Sequence, residues 1–334
     1  MVRAMQLKNP GPVDEGPLAE ADLTQPAPGP KEILVRVGVC GVCHTDLHTV
    51  EGELDLPKLP VVPGHQVVGV VEETAEGANR FEPGERVGLA WLYDTCGDCR
   101  FCESARENLC PKARFTGLNV NGGYAEYVKV KEDFAYPIPQ GYQDHEAAPL
   151  LCAGIIGYRA LRLSGIAEGG RLGLYGFGAS AHLAIQIARH WGCEVYVYTR
   201  TQSHRDLAEE LGAVWVGGAE DDPPQKMDSS IIFAPAGPLV PRAMEQLDKG
   251  GRLALAGIYM TPIPEMDYTR HLYHERSITS VANSTRQDGE ELMSLAGEIR
   301  IQTHTEVFPL EEANRVLQKL KKSDIEASAV LQIG

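Results

Sequence analysis

The chain has 334 residues, enough for two domains each with its own core, and its 43% hydrophobic and 23% charged content is that of an ordinary globular protein. A net charge of −15, with no Lys/Arg cluster to override it, excludes a nucleic-acid backbone as partner. Met1 to Gln6 lack the charged and apolar sections of a secretory signal and no apolar run approaches the ~20 residues of a membrane span, so a cytoplasmic protein without a membrane partner is expected.

The first 35 or so residues read as strands with Pro/Gly-rich connections, ending in the alternating stretch Glu32 to Val37. Next comes Cys40-Gly41-Val42-Cys43-His44-Thr45-Asp46-Leu47-His48, which gathers thiols, imidazoles, a hydroxyl and a carboxylate in one short run. Cys43 reads as a zinc ligand, and His65 (in Pro63-Gly64-His65-Gln66) and Cys152 each supply one more nitrogen or sulfur. Three protein ligands leave a tetrahedral zinc one open position, the mark of a catalytic rather than a structural site. Thr45 then stands beside that position with a hydroxyl able to pass a proton.

A strand is expected over residues 61–73 and another after the turn at Gly84. Cys96, Cys99, Cys102 and Cys110 form C-x2-C-x2-C-x7-C, a spacing that lets four thiolates close a tetrahedron around a structural zinc; an iron–sulfur cluster is the rival reading. Asn121 to Tyr127 opens on a tight-turn glycine pair and is expected to run as a strand to Val130. From His145 the pattern turns helical. Six of the eight cysteines thus sit at ligand-like positions, which suits a reducing compartment; Cys40 and Cys193 read as small buried residues.

Arg171 to Tyr175 is a short apolar strand followed by Gly176-Phe177-Gly178-Ala179-Ser180-Ala181, a helical run at Ala184 to Ala188, and the strand Glu194 to Tyr198. That order turns a weak G-x-G-x-x-A match into a dinucleotide site: Gly176 for the tight turn, Gly178 for approach of the pyrophosphate, Ala181 for helix-strand packing. Strand and helix alternation continues to about Gly257, as in a doubly wound parallel sheet. At the end of the second strand an NAD-binding fold places an acidic residue; Thr199 and Arg200 stand there instead, so NADP(H) is favoured over NAD(H). His271 and His274 lack an evident third ligand, and His145, His182, His190, His204 and His304 belong to no ligand pattern. Leu310 to Leu317 reads as an amphipathic helix and Ala329 to Ile333 as a last strand.

On Gly41 to His48, Gly64-His65-Gln66, the four-cysteine cluster, Gly122 to Tyr127, Cys152-Ala153-Gly154 and Gly176-Phe177-Gly178, nearly the whole chain resembles the zinc-dependent alcohol dehydrogenases of the medium-chain dehydrogenase/reductase family. The resemblance implies an α/β fold: a mainly β, GroES-like catalytic domain over residues 1–150 with a structural zinc lobe near 94–112, a Rossmann domain over 151–285, and a return to the first domain over 286–334. It favours zinc over iron–sulfur at the four cysteines, hence two zinc ions per chain. It implies that Cys152 reaches the zinc from the first turns of a connecting helix. It nominates a proton path from Thr45 through the cofactor ribose to His48, an Asp46 that bonds the ring of His65, and a His44 that contacts the pyrophosphate. Three departures stand out: Gln66 replaces the usual Glu beside the metal, Ile156 a frequent Thr, and Ser328 a frequent Arg. The implied activity is interconversion of alcohols, foremost primary ones, and aldehydes, in a homodimer or homotetramer. A polyol or aryl-alcohol dehydrogenase is the nearest alternative, and a non-catalytic zinc- and dinucleotide-binding protein is the alternative from another class; Trp91 reads either as a wall of the substrate pocket or as a core residue.

Overall fold

A computed structural model describes residues 1–325 and 328–334. The chain divides into two compact units, Met1–Cys152 with Thr285–Gly334, and Ala153–Ser284.

The first unit is built on strands. β1 (Val2–Leu7) and β2 (Leu18–Leu23) pair antiparallel, and β3 (Glu32–Val42) is an 11-residue strand buried along most of its length. Helix α1 (His44–Glu51) follows at once. Cys43 is its N-cap, accepting from the Thr45 N–H, while the Asp46 side chain reaches back to the Cys43 N–H; Gly52 ends it in a left-handed conformation. Then come β4 (Gln66–Thr74), β5 (Arg86–Leu89), β6 (Leu92–Asp94), the one-turn α2 (Arg100–Glu103), β7 (Arg114–Phe115), β8 (Tyr127–Lys131) and β9 (Ala135–Pro137).

Two expectations need correction here. The strand foreseen from Asn121 begins only at Tyr127, because the amides of Gly122, Gly123 and Tyr124 are spent on the carbonyls of Val62, Gly64 and Pro63. Past α3 (Asp144–Ala147) the chain forms a 3-10 turn over Ala148–Leu151, with Pro149 in its opening turn, and Cys152 sits in the break after it with φ −132° and ψ −72°. The thiol is therefore presented by an irregular residue just ahead of a helix, not by the helix itself.

The second unit begins with α4 (Ala153–Ser164) and alternates β10 (Arg171–Tyr175), α5 (Ala179–His190), β11 (Glu194–Tyr198), α6 (Gln202–Glu210), β12 (Trp215–Gly217), β13 (Met227–Ile232), α7 (Leu239–Gln246), β14 (Leu247–Leu255), α8 (Tyr268–His271) and β15 (Ser277–Ser280). All its strand pairs are parallel, in the order β12-β11-β10-β13-β14-β15. In the central β10, Leu172, Leu174 and Tyr175 are all buried, as a strand covered on both faces requires. Counted from β10 the order is that of a doubly wound nucleotide fold, whose ligands bind at the carboxyl ends of the strands where the winding reverses.

The chain re-enters the first unit with α9 (Arg286–Ile299), β16 (Thr305–Pro309), α10 (Ala313–Lys321) and β17 (Ser328–Gln332). The last two strands complete a seven-stranded sheet in the order β16-β17-β3-β4-β5-β9, with β8 paired to β3 off that path. The stretch read as one amphipathic helix from Leu310 is split, a 3-10 turn over Leu310–Glu312 preceding α10.

Candidate active site

In the first unit the end of β3, the start of β4 and the break at Cys152 bring three donor atoms together. Cys43 Sγ lies 3.4 Å from His65 Nε2 and 3.9 Å from Cys152 Sγ, and all three lie within 4.8 Å of one another. Tetrahedral zinc, with bonds of about 2.3 Å to sulfur and 2.0 Å to nitrogen, would set such neighbours about 3.6–3.8 Å apart, so the donor set fits that ion. His65 is buried and its Nδ1 faces Asp46 Oδ1 at 3.2 Å, which leaves Nε2 for a metal. The same carboxylate accepts from the Gly64 N–H at 3.1 Å through Oδ1 and from the Cys43 N–H at 3.0 Å through Oδ2. One side chain thus caps α1 and orients the ring. Burial alone would lower the basicity of His65, but the Asp46 carboxylate and Cys43 raise its pKa to about 10. The Cys43 thiol is pushed well up by its hydrogen bond with Cys152 and by burial. A cation entering this set must displace those protons.

Gly64 lies at φ +94°, and a Cβ there would fall 2.4 Å from Cδ1 of Tyr124, so only glycine lets that ring pack beneath the segment leading to His65. Burial raises the pKa of Tyr124 far above that of a free phenol, and the Asp46 charge adds to the effect.

Thr45 is buried on the first turn of α1. His44 and His48, four residues apart, share a helix face with ring centroids 6.4 Å apart. Burial, then the neighbouring His48, holds the pKa of His44 below its ordinary value, so His44 is a neutral hydrogen-bond donor rather than a charged one. His48 Nδ1 bonds the Glu53 carboxylate, a partner that was not singled out from the sequence although it stands one helical turn and a residue farther on. Gln66 is buried, its side chain lying over Gly41, where a Cβ would come within 2.9 Å of Cδ and Oε1; Nε2 has no partner among the described residues. Trp91 stacks on Phe115 at 4.4 Å and its ring lies 6.2 Å from that of His65. Cys40 and Cys193 are both buried. His271 is buried and bonded to Glu245 and to the Asp267 carbonyl.

The other four cysteines also converge: Cys96 to Cys110 3.4 Å, Cys99 to Cys102 3.6 Å and Cys96 to Cys102 3.9 Å. These separations fit a single ion with Zn–S bonds of about 2.3 Å; a cluster of several irons would hold its sulfurs farther apart.

In the second unit Gly176 turns the chain at φ +87° with Ala234 3.1 Å from where a Cβ would stand. A Cβ on Gly178 would meet nothing within 4 Å, so this side of the loop is open to a ligand's approach. Phe177 and Ala181 are buried. The first intrahelical bond of α5 runs from the His182 N–H to the Gly178 carbonyl, so the amides of Ala179, Ser180 and Ala181 precede the ladder and can face an anion. Thr199 is buried just past β11, with Arg200 exposed beside it. Arg205, not picked out from the sequence, donates from Nε to the Thr199 carbonyl at 3.3 Å, which brings a second guanidinium to this strand end. Its signal was its place one turn into the helix that follows the strand.

The chain matches two family models, the alcohol dehydrogenase GroES-like domain over residues 29–140 and the zinc-binding dehydrogenase over residues 179–298. It is 48% identical to a probable alcohol dehydrogenase of Mycobacterium tuberculosis, over 99% of this chain and 97% of that protein. Among solved structures it is similar to an alcohol dehydrogenase of Aeropyrum pernix (30% identity, TM-score 0.87, 99% of both chains). A cinnamyl alcohol dehydrogenase of Sorghum bicolor is also similar (26%, TM-score 0.90, 99% of this chain and 98% of that one). The chain belongs to the zinc-dependent alcohol dehydrogenases of the medium-chain dehydrogenase/reductase family.

Proposed function

We propose a specific form of the zinc-dependent alcohol and aldehyde oxidoreduction that family membership establishes: exchange of hydride between small or medium primary alcohols and NADP(H), with NAD(H) the poorer partner. The observation that carries it is the convergence of Cys43, His65 and Cys152 as a set of three donors, one short of a closed tetrahedron. Zinc held there supplies a Lewis acid for an alcohol or carbonyl oxygen, and the cofactor supplies or accepts the hydride. Asp46 fixes the tautomer and direction of His65. Thr45 takes up or returns the substrate hydroxyl proton, and His48, oriented by Glu53, exchanges a proton with solvent. The amides of Ala179, Ser180 and Ala181 meet the cofactor pyrophosphate. Cys96, Cys99, Cys102 and Cys110 hold the second zinc, which braces their loop.

Preference for NADP(H) rests on a strand end that carries Thr199 where a carboxylate would repel a 2′-phosphate, with the guanidinium groups of Arg200 and Arg205 near it. The Trp91 and Phe115 stack beside His65 favours a second reading, oxidation of aryl alcohols; an aromatic wall offers a polyol few hydrogen bonds. A cofactor-absorbance assay over aliphatic, aryl and polyol substrates with both cofactors decides among these. Equal or better use of NAD(H) would reverse the cofactor order, and no turnover on any substrate would leave the non-catalytic binding protein.

A homodimer, or a homotetramer built from it, is supported by β15, an edge strand of the second unit's sheet, and by the exposed Tyr268 and Tyr273 in the chain ahead of it. Light scattering during gel filtration tests it. No helix among the described residues is long and apolar enough to cross a membrane. A cytoplasmic location is supported by two thiol-rich donor sets that need a reducing environment.

A further inference from the structure

The four-cysteine lobe hangs on a short two-strand stalk. Its loop, residues 95–113, joins β6 to β7, and the strands pair Leu92 with Phe115 and Asp94 with Arg114. The register shifts between those pairs, Tyr93 being the bulged residue. A ribbon this short has little stability of its own, and a slip of one residue turns its side chains to the opposite face. One of those side chains is Phe115, whose ring stacks on Trp91 at 4.4 Å, and the Trp91 ring in turn lies 6.2 Å from that of His65. The placement of this aromatic pair beside His65 therefore depends on the register of the stalk.

An ion pair spans the two strands at the bulge. Arg114 Nε donates to Asp94 Oδ1 at 2.8 Å and Nη2 donates to Oδ2, a fork on a carboxylate whose side chain is only 15% exposed. The same guanidinium lies over the Tyr93 ring, 5.2 Å from its centroid, and the buried Tyr93 donates its hydroxyl proton to Glu32 Oε1 at the start of β3. At the other end of the stalk the Thr116 N–H donates to the Trp91 carbonyl at 2.8 Å, so the backbone beside the two rings follows whatever register the strands adopt.

We propose that Asp94 and Arg114 are positioning residues for aryl alcohols: their ion pair fixes β6 against β7 and so holds the Trp91 and Phe115 rings as one wall of the alcohol site. The inference rests on the reading of those rings as that wall. A flat ring gains specific contact only from an aromatic surface held at the right distance and tilt, whereas a linear chain bends to meet a displaced wall. Loss of the pair therefore costs aryl alcohols more than linear ones. The cost falls on KM, because the wall touches a part of the substrate that does not react.

The test measures kcat and KM for benzyl alcohol and 1-butanol, with zinc content, in wild type, Asp94→Asn, Arg114→Gln, the double variant and Trp91→Leu. Each single charge variant should lower the benzyl-to-butyl ratio of kcat/KM about threefold to tenfold, through KM. The double variant should lie within about twofold of either single one, since both remove the same interaction. Trp91→Leu should lower the ratio at least as far. If Trp91→Leu leaves the ratio unchanged, the rings are not the wall, and that reading falls with the proposal. If Trp91→Leu lowers the ratio, any of four results overturns the proposal alone: an unchanged ratio in the charge variants, additive losses in the double variant, equal losses for both alcohols, or loss of the lobe's zinc.

Discussion

Replacing Asp46 by Asn tests how much of the metal site is held from behind its ligands. Asp46 Oδ1 accepts two bonds, from His65 Nδ1 at 3.2 Å and the Gly64 N–H at 3.1 Å, and Oδ2 accepts one from the Cys43 N–H at 3.0 Å. Asparagine has one acceptor oxygen and one NH2. With the oxygen toward His65, the NH2 confronts the Cys43 N–H; turned over, it confronts His65 and Gly64. Either way at least one bond to a charged acceptor is lost, each worth about 1.5–3 kcal/mol. The volume is unchanged, so the packing should hold. Zinc affinity of the three-ligand site should fall about 10- to 100-fold, measured by competition with a chelator of known affinity. Affinity within about twofold of wild type would show that Asp46 does not orient the ligand imidazole.

Glu53→Gln keeps an acceptor for His48 but removes the charge; kcat should fall roughly threefold to tenfold with zinc content unchanged, and unaltered kcat would remove Glu53 from the proton path. Arg205→Ala should lower kcat/KM for NADP(H) by about tenfold or more while leaving NAD(H) nearly unaffected; equal losses with both cofactors would mean that Arg205 only braces the strand end. Burial alone would raise the pKa of Glu32, but hydrogen bonds from Lys129, Tyr93 and the Gly29 N–H hold it down to about 2. Its contribution is therefore present above the ordinary carboxylate pKa near 4.5 and lost as pH falls from there toward 2. Because the Lys129 side chain is 38% exposed, that contribution is about 1–2 kcal/mol, and Glu32→Gln should flatten the pH dependence of urea unfolding in this window. Protons compete for His65 up to its pKa of about 10, so zinc affinity of the three-ligand site should rise with pH across neutrality; a flat profile would contradict the protonated starting state.

The features legible in the sequence were those whose parts are close along the chain. The strand Arg171–Tyr175, the glycine turn, α5 and the strand Glu194–Tyr198 lie where periodicity and glycine spacing put them. The four-cysteine lobe spans only 96–110, and its spacing already implied convergence. The three-ligand set joins residues up to 109 positions apart, which no local pattern fixes; the donor types at Cys43, His65 and Cys152 suggest it, and the family resemblance agrees. Pairings made by tertiary packing were not legible: Glu53 on His48, Arg205 on the Thr199 carbonyl, the Tyr124 ring beneath Gly64, and Glu32 held by Lys129 97 residues away. The glycine pair at Gly122 reads as the start of a strand because turn chemistry alone cannot reveal that the next amides are committed to Val62, Pro63 and Gly64.

Cys43, His65 and Cys152 are proposed to hold a zinc ion whose fourth position is left to substrate. A zinc-edge anomalous difference map from crystals of the purified holoenzyme tests it most directly. Two peaks per chain are expected, one inside the four cysteines and one bonded to Cys43 Sγ, His65 Nε2 and Cys152 Sγ with solvent or substrate as the only other neighbour. A map with no peak among those three residues, or with a protein side chain closing the fourth corner in every substrate-bound crystal, would contradict it.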